Sequence, residues 1–231
     1  MDQLSVRINS LPVSATLSMA AKARELKNKG IDIIGLSLGE PDFNTPEFIK
    51  DAAIQAVRDN YNSYSPVDGY ADLKEAICAK FKRDNKITYS PSQIVVSTGA
   101  KQSIANSCLV LLDPGDEVLL PAPYWVSYSA ITTLAEATSI IIPSSIKTDF
   151  KITPEQLEAF ITPKTKLVMF NSPNNPSGSI YTESEYRALG KVLEKYPDVF
   201  ILSDEIYEHI NYGTAHFSIA AIPELYDRTI T

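Results

Sequence analysis

Lys166-Leu167-Val168-Met169-Phe170-Asn171, then a helical pattern over 183–195, then Val199-Phe200-Ile201-Leu202-Ser203 is the stretch on which the fold turns. Two short, continuously apolar runs on either side of a helix read as strands buried on both faces, as in a parallel β-α-β unit. Working outward, the alternation recurs. Upstream, strands are expected over 93–97, 117–120 and 138–142, and helices over 100–112, 127–135 and 154–161. Nearer the N-terminus, 15–29, 46 to about 60 and 71 to about 84 read as helices, and 31–38 reads as a further buried strand. The expected class is α/β, a three-layer α/β/α arrangement around a mostly parallel sheet. Its ligand would sit beyond the carboxyl ends of the strands. That singles out 39–45, 98–102, 171–178 and 204–207.

Composition narrows the function. Across 231 residues, 21 Lys and Arg face 28 Asp and Glu, a formal charge of −7. With no block of three or more consecutive basic residues, nucleic acid and anionic membranes are disfavoured as partners. No apolar stretch approaches the roughly 20 residues of a spanning helix. Met1–Ser5 lacks the basic-then-apolar pattern of a signal peptide. Cys78 and Cys108 fall in helical patterns and read as reduced, packed thiols, so the cytoplasm is the expected compartment. None of the nine glycines lies two residues from another. That removes the dinucleotide-binding G-x-G-x-x-G, and a P-loop is also lacking.

Four constellations follow expected strands. Ser97-Thr98-Gly99-Ala100-Lys101-Gln102 passes from strand to helix through a small-residue turn, where free amides and the helix dipole suit a phosphate; it also reads as an ordinary strand–helix turn. Asn171-Ser172-Pro173-Asn174-Asn175-Pro176-Ser177-Gly178 sets two prolines around two asparagines, a stiff loop with X-Pro bonds open to the cis form. Asp204 ends an apolar strand, where a carboxylate needs a positive partner. A protonated ring nitrogen would provide it, each charge favouring the ionised form of the other. Tyr207 follows within reach. A metal reading of Asp204, Glu205 and His209 lacks recognisable ligand spacing, and His209 and His216 read as surface or structural residues. Trp125, the single tryptophan, sits in Pro121-Ala122-Pro123-Tyr124-Trp125. It reads either as core or as a ring that stacks on a flat ligand.

Together with Gly39-Glu40-Pro41-Asp42-Phe43 and Ser63-Tyr64-Ser65-Pro66, these segments resemble, in order, the class I aminotransferases of fold-type I, with the bacterial-type aspartate aminotransferases nearest. The resemblance implies pyridoxal 5′-phosphate as cofactor. It implies that Asp204 pairs with the pyridine nitrogen, that Asn175 and Tyr207 bond the phenolic oxygen and that Trp125 stacks on the ring. Gly99, Ala100 and Lys101 would cradle the phosphate. Tyr64 would reach the phosphate of a neighbouring subunit, so a homodimer with shared sites is implied. Gly39, Trp125 and Asn175 would contact the substrate. The implied reaction is a ping-pong transfer of an amino group from an amino acid, aspartate by family default, to a 2-oxo acid such as 2-oxoglutarate.

On the same resemblance, 1–45 would be an N-terminal arm and the start of a small domain, and 46–231 the large cofactor-binding domain. The Schiff-base lysine is expected shortly beyond Thr231, since no lysine follows Lys195. The natural chain is thus expected to run on through that lysine, carrying its cofactor, into a C-terminal small domain that holds the substrate arginine. Leu11-Pro12-Val13-Ser14 stands where some relatives, those accepting prephenate among them, carry a lysine, so the preferred amino acid stays open. A lyase or synthase of the same fold, or a non-catalytic cofactor-binding or dimerisation fragment, are the alternatives.

Overall fold

Local chemistry marks where helices begin. Thr153 and Gln156 form a reciprocal box: the Thr153 Oγ1 accepts from the Gln156 amide at 3.3 Å, and the Gln156 Oε1 accepts from the Thr153 amide at 3.0 Å. Thr182 and Glu185 repeat it at 3.3 and 2.7 Å. Each such cap contributes about 1 kcal/mol. They open α7 (Pro154–Phe160) and α8 (Glu183–Leu193).

The computed structural model describes residues 3–11, 13, 15–36, 39, 41 and 43–231. The helices before α7 are α1 (Val6–Asn9), α2 (Ala15–Asn28), α3 (Glu47–Arg58), α4 (Ala71–Lys80), α5 (Ala100–Leu111) and α6 (Ser127–Leu134). The strands are β1 (Glu117–Pro121), β2 (Thr138–Ile142), β3 (Thr165–Asn171), β4 (Phe200–Asp204) and β5 (Thr229–Ile230). They form one sheet in the order β2-β1-β3-β4-β5, and every pair is parallel. The expected α/β class with helices on both sides of a parallel sheet is what the structure has.

Strand alternation splits the core in two. Leu119, Val168, Phe170 and Ile201 face one way, against Leu157 of α7, Tyr186, Leu189 and Leu193 of α8, and Ile219, Ile222 and Leu225. Val118, Leu120, Leu167, Met169 and Leu202 face the other way, against Ile104 and Cys108 of α5 and Tyr128 and Ile131 of α6. Arg228 ties the sheet's entry side together. Its guanidinium donates to the carbonyls of Leu193, Tyr196 and Val199 at 2.7–2.8 Å, joining the end of α8 to the turn that leads into β4.

Two expected strands are corrected. Over 93–97, Ser90 and Gln93 cap a 3₁₀ turn at Pro91–Gln93. The extended residues that follow lie outside the sheet, with the Val96 amide bonded to the Asp68 carbonyl at 3.1 Å. Residues 31–36 form no strand, and Ile34 and Leu36 are 85% and 90% exposed; apolar residues alone do not make a strand without a ladder partner. Ser37 and Leu38 lie outside the described residues. The helix expected to reach about 84 ends α4 at Lys80 and continues as a π turn, Phe81–Asn85. The described residues fall into two compact units, Met1–Leu11 with Asp68–Thr231, and Pro12–Val67. The second holds α2 and α3. None of the described helices is long and apolar enough to cross a membrane.

Candidate active site

β4 runs apolar until its last residue, which places the carboxylate of Asp204 at the sheet's carboxyl end with 9% exposure. Its Oδ2 accepts from the Tyr128 hydroxyl at 2.7 Å and its Oδ1 from the Ile206 amide at 3.2 Å. Both donors are neutral, so the buried charge lacks a matching cation from them. Asp204 lines a cavity of about 260 Å³ with Ala100, Ser103, Ile104 and Leu202. Lys80 also reaches this cavity, but its ammonium is ion-paired with Glu208 and bonded to the Asn85 Oδ1 at 2.9 Å.

Ala100 belongs to the start of α5, whose first amides have no intrahelical acceptor. Gly99 caps that helix at φ +83°, a backbone region that residues with a side chain avoid. The Gln102 Oε1 takes the Thr98 amide at 2.6 Å and closes the turn. Lys101 Nζ lies 4.9 Å from the centroid of the Trp125 ring, a cation–π distance. Trp125 in turn meets Tyr128 edge-on, with centroids 5.6 Å apart and planes at 90°. Burial, and then the charge of Asp204, hold the Tyr128 phenol far above its ordinary pKa.

The loop after β3 is fixed to the same place. Its Ser172–Pro173 and Asn175–Pro176 bonds are cis, as is Ala122–Pro123 before Trp125. The Asn171 side chain donates to the Asp204 carbonyl at 3.0 Å and accepts from the Asn175 amide at 2.7 Å. Asn174 donates to the Pro123 carbonyl at 3.3 Å and accepts from the Ser177 amide and hydroxyl. Asn171 thus bridges the asparagine loop to β4, and Asn174 bridges it to the turn that carries Trp125.

Of the residues expected from sequence, Asp204 and Ala100 share the cavity, Lys101 and Trp125 touch, and Asn175 is linked to β4 through Asn171. Tyr207 is half-buried in the turn after Asp204. Gly39 and Tyr64 belong to the Pro12–Val67 unit, where both are exposed; Glu40 and Asp42 lie outside the described residues. The disfavoured metal trio of Asp204, Glu205 and His209 does not converge. Glu205 accepts from Ser203 at 2.8 Å and Ser218 at 2.7 Å and meets His216 Nε2 at 2.9 Å, whereas the His209 side chain is 73% exposed. No cluster of three metal-ligating side chains occurs among the described residues.

Sequence reasoning passed over Tyr128, and it named Asn171 and Glu205 without the bridging role of the one or the hydrogen-bond network of the other. Asn171 left a signal, as the polar residue closing an apolar strand.

Residues 31–229 match the family Aminotransferase class I and II. An aspartate/prephenate aminotransferase of Nitrosomonas europaea is 50% identical over 99% of this chain and 58% of its own length. An aspartate aminotransferase of Geobacillus stearothermophilus is 49% identical over the same shares. Among solved structures, the aspartate aminotransferase of Rhizobium meliloti matches with a TM-score of 0.95 at 44% identity, covering 98% of this chain and 57% of that one. The Thermus thermophilus aspartate aminotransferase with maleate also gives 0.95, at 38% identity, covering 99% and 59%. This chain therefore spans 58% of the length of the curated relatives. Matched to that family over residues 31–229 and about half identical to these relatives, the chain belongs to the class I and II aminotransferases, near the aspartate aminotransferases.

Proposed function

We propose that the full-length protein carrying this chain is a pyridoxal-phosphate-dependent aminotransferase that moves an amino group from aspartate to 2-oxoglutarate by a ping-pong route. The observation that carries this reading is Asp204, a buried carboxylate at a cavity wall with only neutral donors on its oxygens. Such a group calls for a cationic partner, and a protonated pyridine ring fits that need. Pyridoxal phosphate, when bound, supplies an electron sink for the substrate's α-carbon.

The chain's own residues would then bind and orient. Asp204 would keep the ring nitrogen protonated, and Asn175 and Tyr207 would bond the ring's phenolic oxygen. Trp125 would stack on the ring. The turn at Gly99, Ala100 and Lys101 would receive the phosphate, a role supported by the capping glycine and the free amides of a helix start. Gly39, Trp125 and Asn175 would contact the substrate. Tyr64 would serve the site of a second subunit, in a homodimer with shared sites. Residues 1–45 would be an arm and the beginning of a small domain and 46–231 the large domain, with the covalently binding lysine following Thr231. The free thiols of Cys78 and Cys108 suit a reducing compartment such as the cytoplasm. Relatives named for both aspartate and prephenate make prephenate the second acceptor to assay; Pro12 and Ser14, in the segment that bears on this choice, lie outside the described residues.

The test is direct. The purified full-length protein should take up pyridoxal phosphate with a visible absorbance band, then form oxaloacetate from aspartate and 2-oxoglutarate. Cofactor binding without amino transfer to any 2-oxo acid would overturn the aminotransferase reading.

A further inference from the structure

We propose that Tyr128 is a positioning residue of this site, one side chain that sets both the carboxylate of Asp204 and the ring of Trp125. The proposal rests on the cofactor reading above and deepens it. Its hydroxyl donates to Asp204 Oδ2 at 2.7 Å, and its ring meets Trp125 edge-on at 5.6 Å. Tyr128 itself has little freedom. It is 1% exposed, it stands in the first turn of α6, its amide donates to the Trp125 carbonyl at 3.0 Å, and its carbonyl accepts from the Thr132 hydroxyl at 2.9 Å.

A buried phenol beside an anion keeps its proton, so Tyr128 can only donate along this bond. It therefore fixes one of the two oxygens of Asp204 as an acceptor. The other oxygen receives only the longer Ile206 amide bond, which leaves it the freer acceptor for a ligand's N–H. Edge-to-face contact with Trp125 sets the tilt of the indole from the same anchor. A ring held by Asp204 on its nitrogen and Trp125 on its face would thus be aligned by Tyr128 without touching it.

Tyr128→Phe removes one oxygen and keeps the aromatic ring, so the core contact survives. In the full-length protein this variant should bind pyridoxal phosphate about tenfold more weakly, the usual scale for losing a hydrogen bond to a charge. A less firmly held Asp204 leaves the ring nitrogen less protonated and the cofactor less electron-withdrawing. The pH midpoint of the visible band should therefore move upward. In an Asp204→Asn background, Tyr128→Phe should add less than about twofold, because the two residues act as one unit.

A loss of thermal stability with an unchanged band midpoint and cofactor affinity would make Tyr128 merely structural and overturn the proposal. Equal, additive losses in the wild-type and Asp204→Asn backgrounds would also overturn it. If the wild-type protein shows no visible band with pyridoxal phosphate, the cofactor reading itself fails, and this proposal with it. A wild-type protein that binds alongside a Tyr128→Phe variant that binds equally well removes this proposal alone.

Discussion

On one face of the sheet β4 ends in Asp204, held by two neutral donors at the wall of an open cavity. Beyond the end of the strand comes Glu205, which also borders that cavity but whose side chain is 8% exposed and whose carboxylate is taken by two serine hydroxyls and a histidine. The residues are adjacent and chemically alike. They differ in how completely the protein satisfies them. Glu205 has its partners on Ser203, Ser218 and His216, so its bonds stabilise the fold. Asp204 is left with capacity to spare, and an unfinished buried carboxylate is where a fold gives up stability for a ligand. The same contrast runs through the core, where the Glu205 side holds the stacked and edge-on cluster of Phe170, Tyr181 and Tyr186.

The contrast can be broken by experiment. Phe170→Ala, at the centre of the closed face, should cost about 3–5 kcal/mol in denaturant unfolding; a much smaller loss would mean that face is not the stable one. Glu205→Ala strands three buried donors and should cost about 3 kcal/mol. The folded variant should still bind pyridoxal phosphate nearly as wild type does, and a large fall in affinity would show that the two faces are coupled. Asp204→Asn should do the reverse. Unfolding free energy should change by no more than about 1 kcal/mol, while cofactor affinity falls about 100-fold, as expected for one partner of a buried charge pair.

Smaller effects sharpen the picture at the cavity wall. Burial acts to raise the Glu208 carboxyl, but hydrogen bonds from Lys80 and Asn85 outweigh it and hold the group below its ordinary value of 4.5. A lowered folded value means the stabilisation is full above that ordinary value and is lost as pH falls through the folded one. Glu208→Gln should therefore remove about 0.5–1 kcal/mol of acid sensitivity below about pH 4.5, the modest size reflecting solvent screening. Urea melts at pH 6 and pH 3 would check this. Lastly, burial pushes the Cys108 thiol up to about 11. At pH 8 an alkylating reagent should modify Cys78 first and reach Cys108 only on unfolding, which peptide mapping would report.

Much of this architecture was legible in the residues because it is written locally. The apolar runs of β1 to β4 and the capping boxes of α7 and α8 sit within a few residues of the expected bounds, and β2 falls on 138–142 as read. The failures are of one kind. Ile31–Leu36 and Ile94–Ser97 have strand-like composition, yet pairing is a property of two segments and no local pattern reports the partner. β5 is two residues long, too short for any period to show. Asp204 and the capping glycine of α5 stood out because a polar or conformationally special residue interrupts a regular element. Tyr128 did not, since a tyrosine early in a helix looks like ordinary core. Two of the partners of Glu205, His216 and Ser218, are separated from it by a loop that only folding closes.

The two-residue period of β4 has a consequence for how this segment can change over generations. Because neighbouring side chains emerge on opposite faces, loss of one residue within Phe200–Ser203 would bring Glu205 to the station of Asp204, beside Tyr128, and draw Asp204 back to that of Ser203. Gain of one residue ahead of Ser203 would instead carry Asp204 forward and leave a serine beside Tyr128. Total charge would be unaltered either way, but the carboxylate facing Tyr128 would be lengthened or lost. Substitutions in β4 can be absorbed one at a time; a change of length moves both carboxylates at once. Drift in this strand is therefore open to replacement and closed to insertion and deletion.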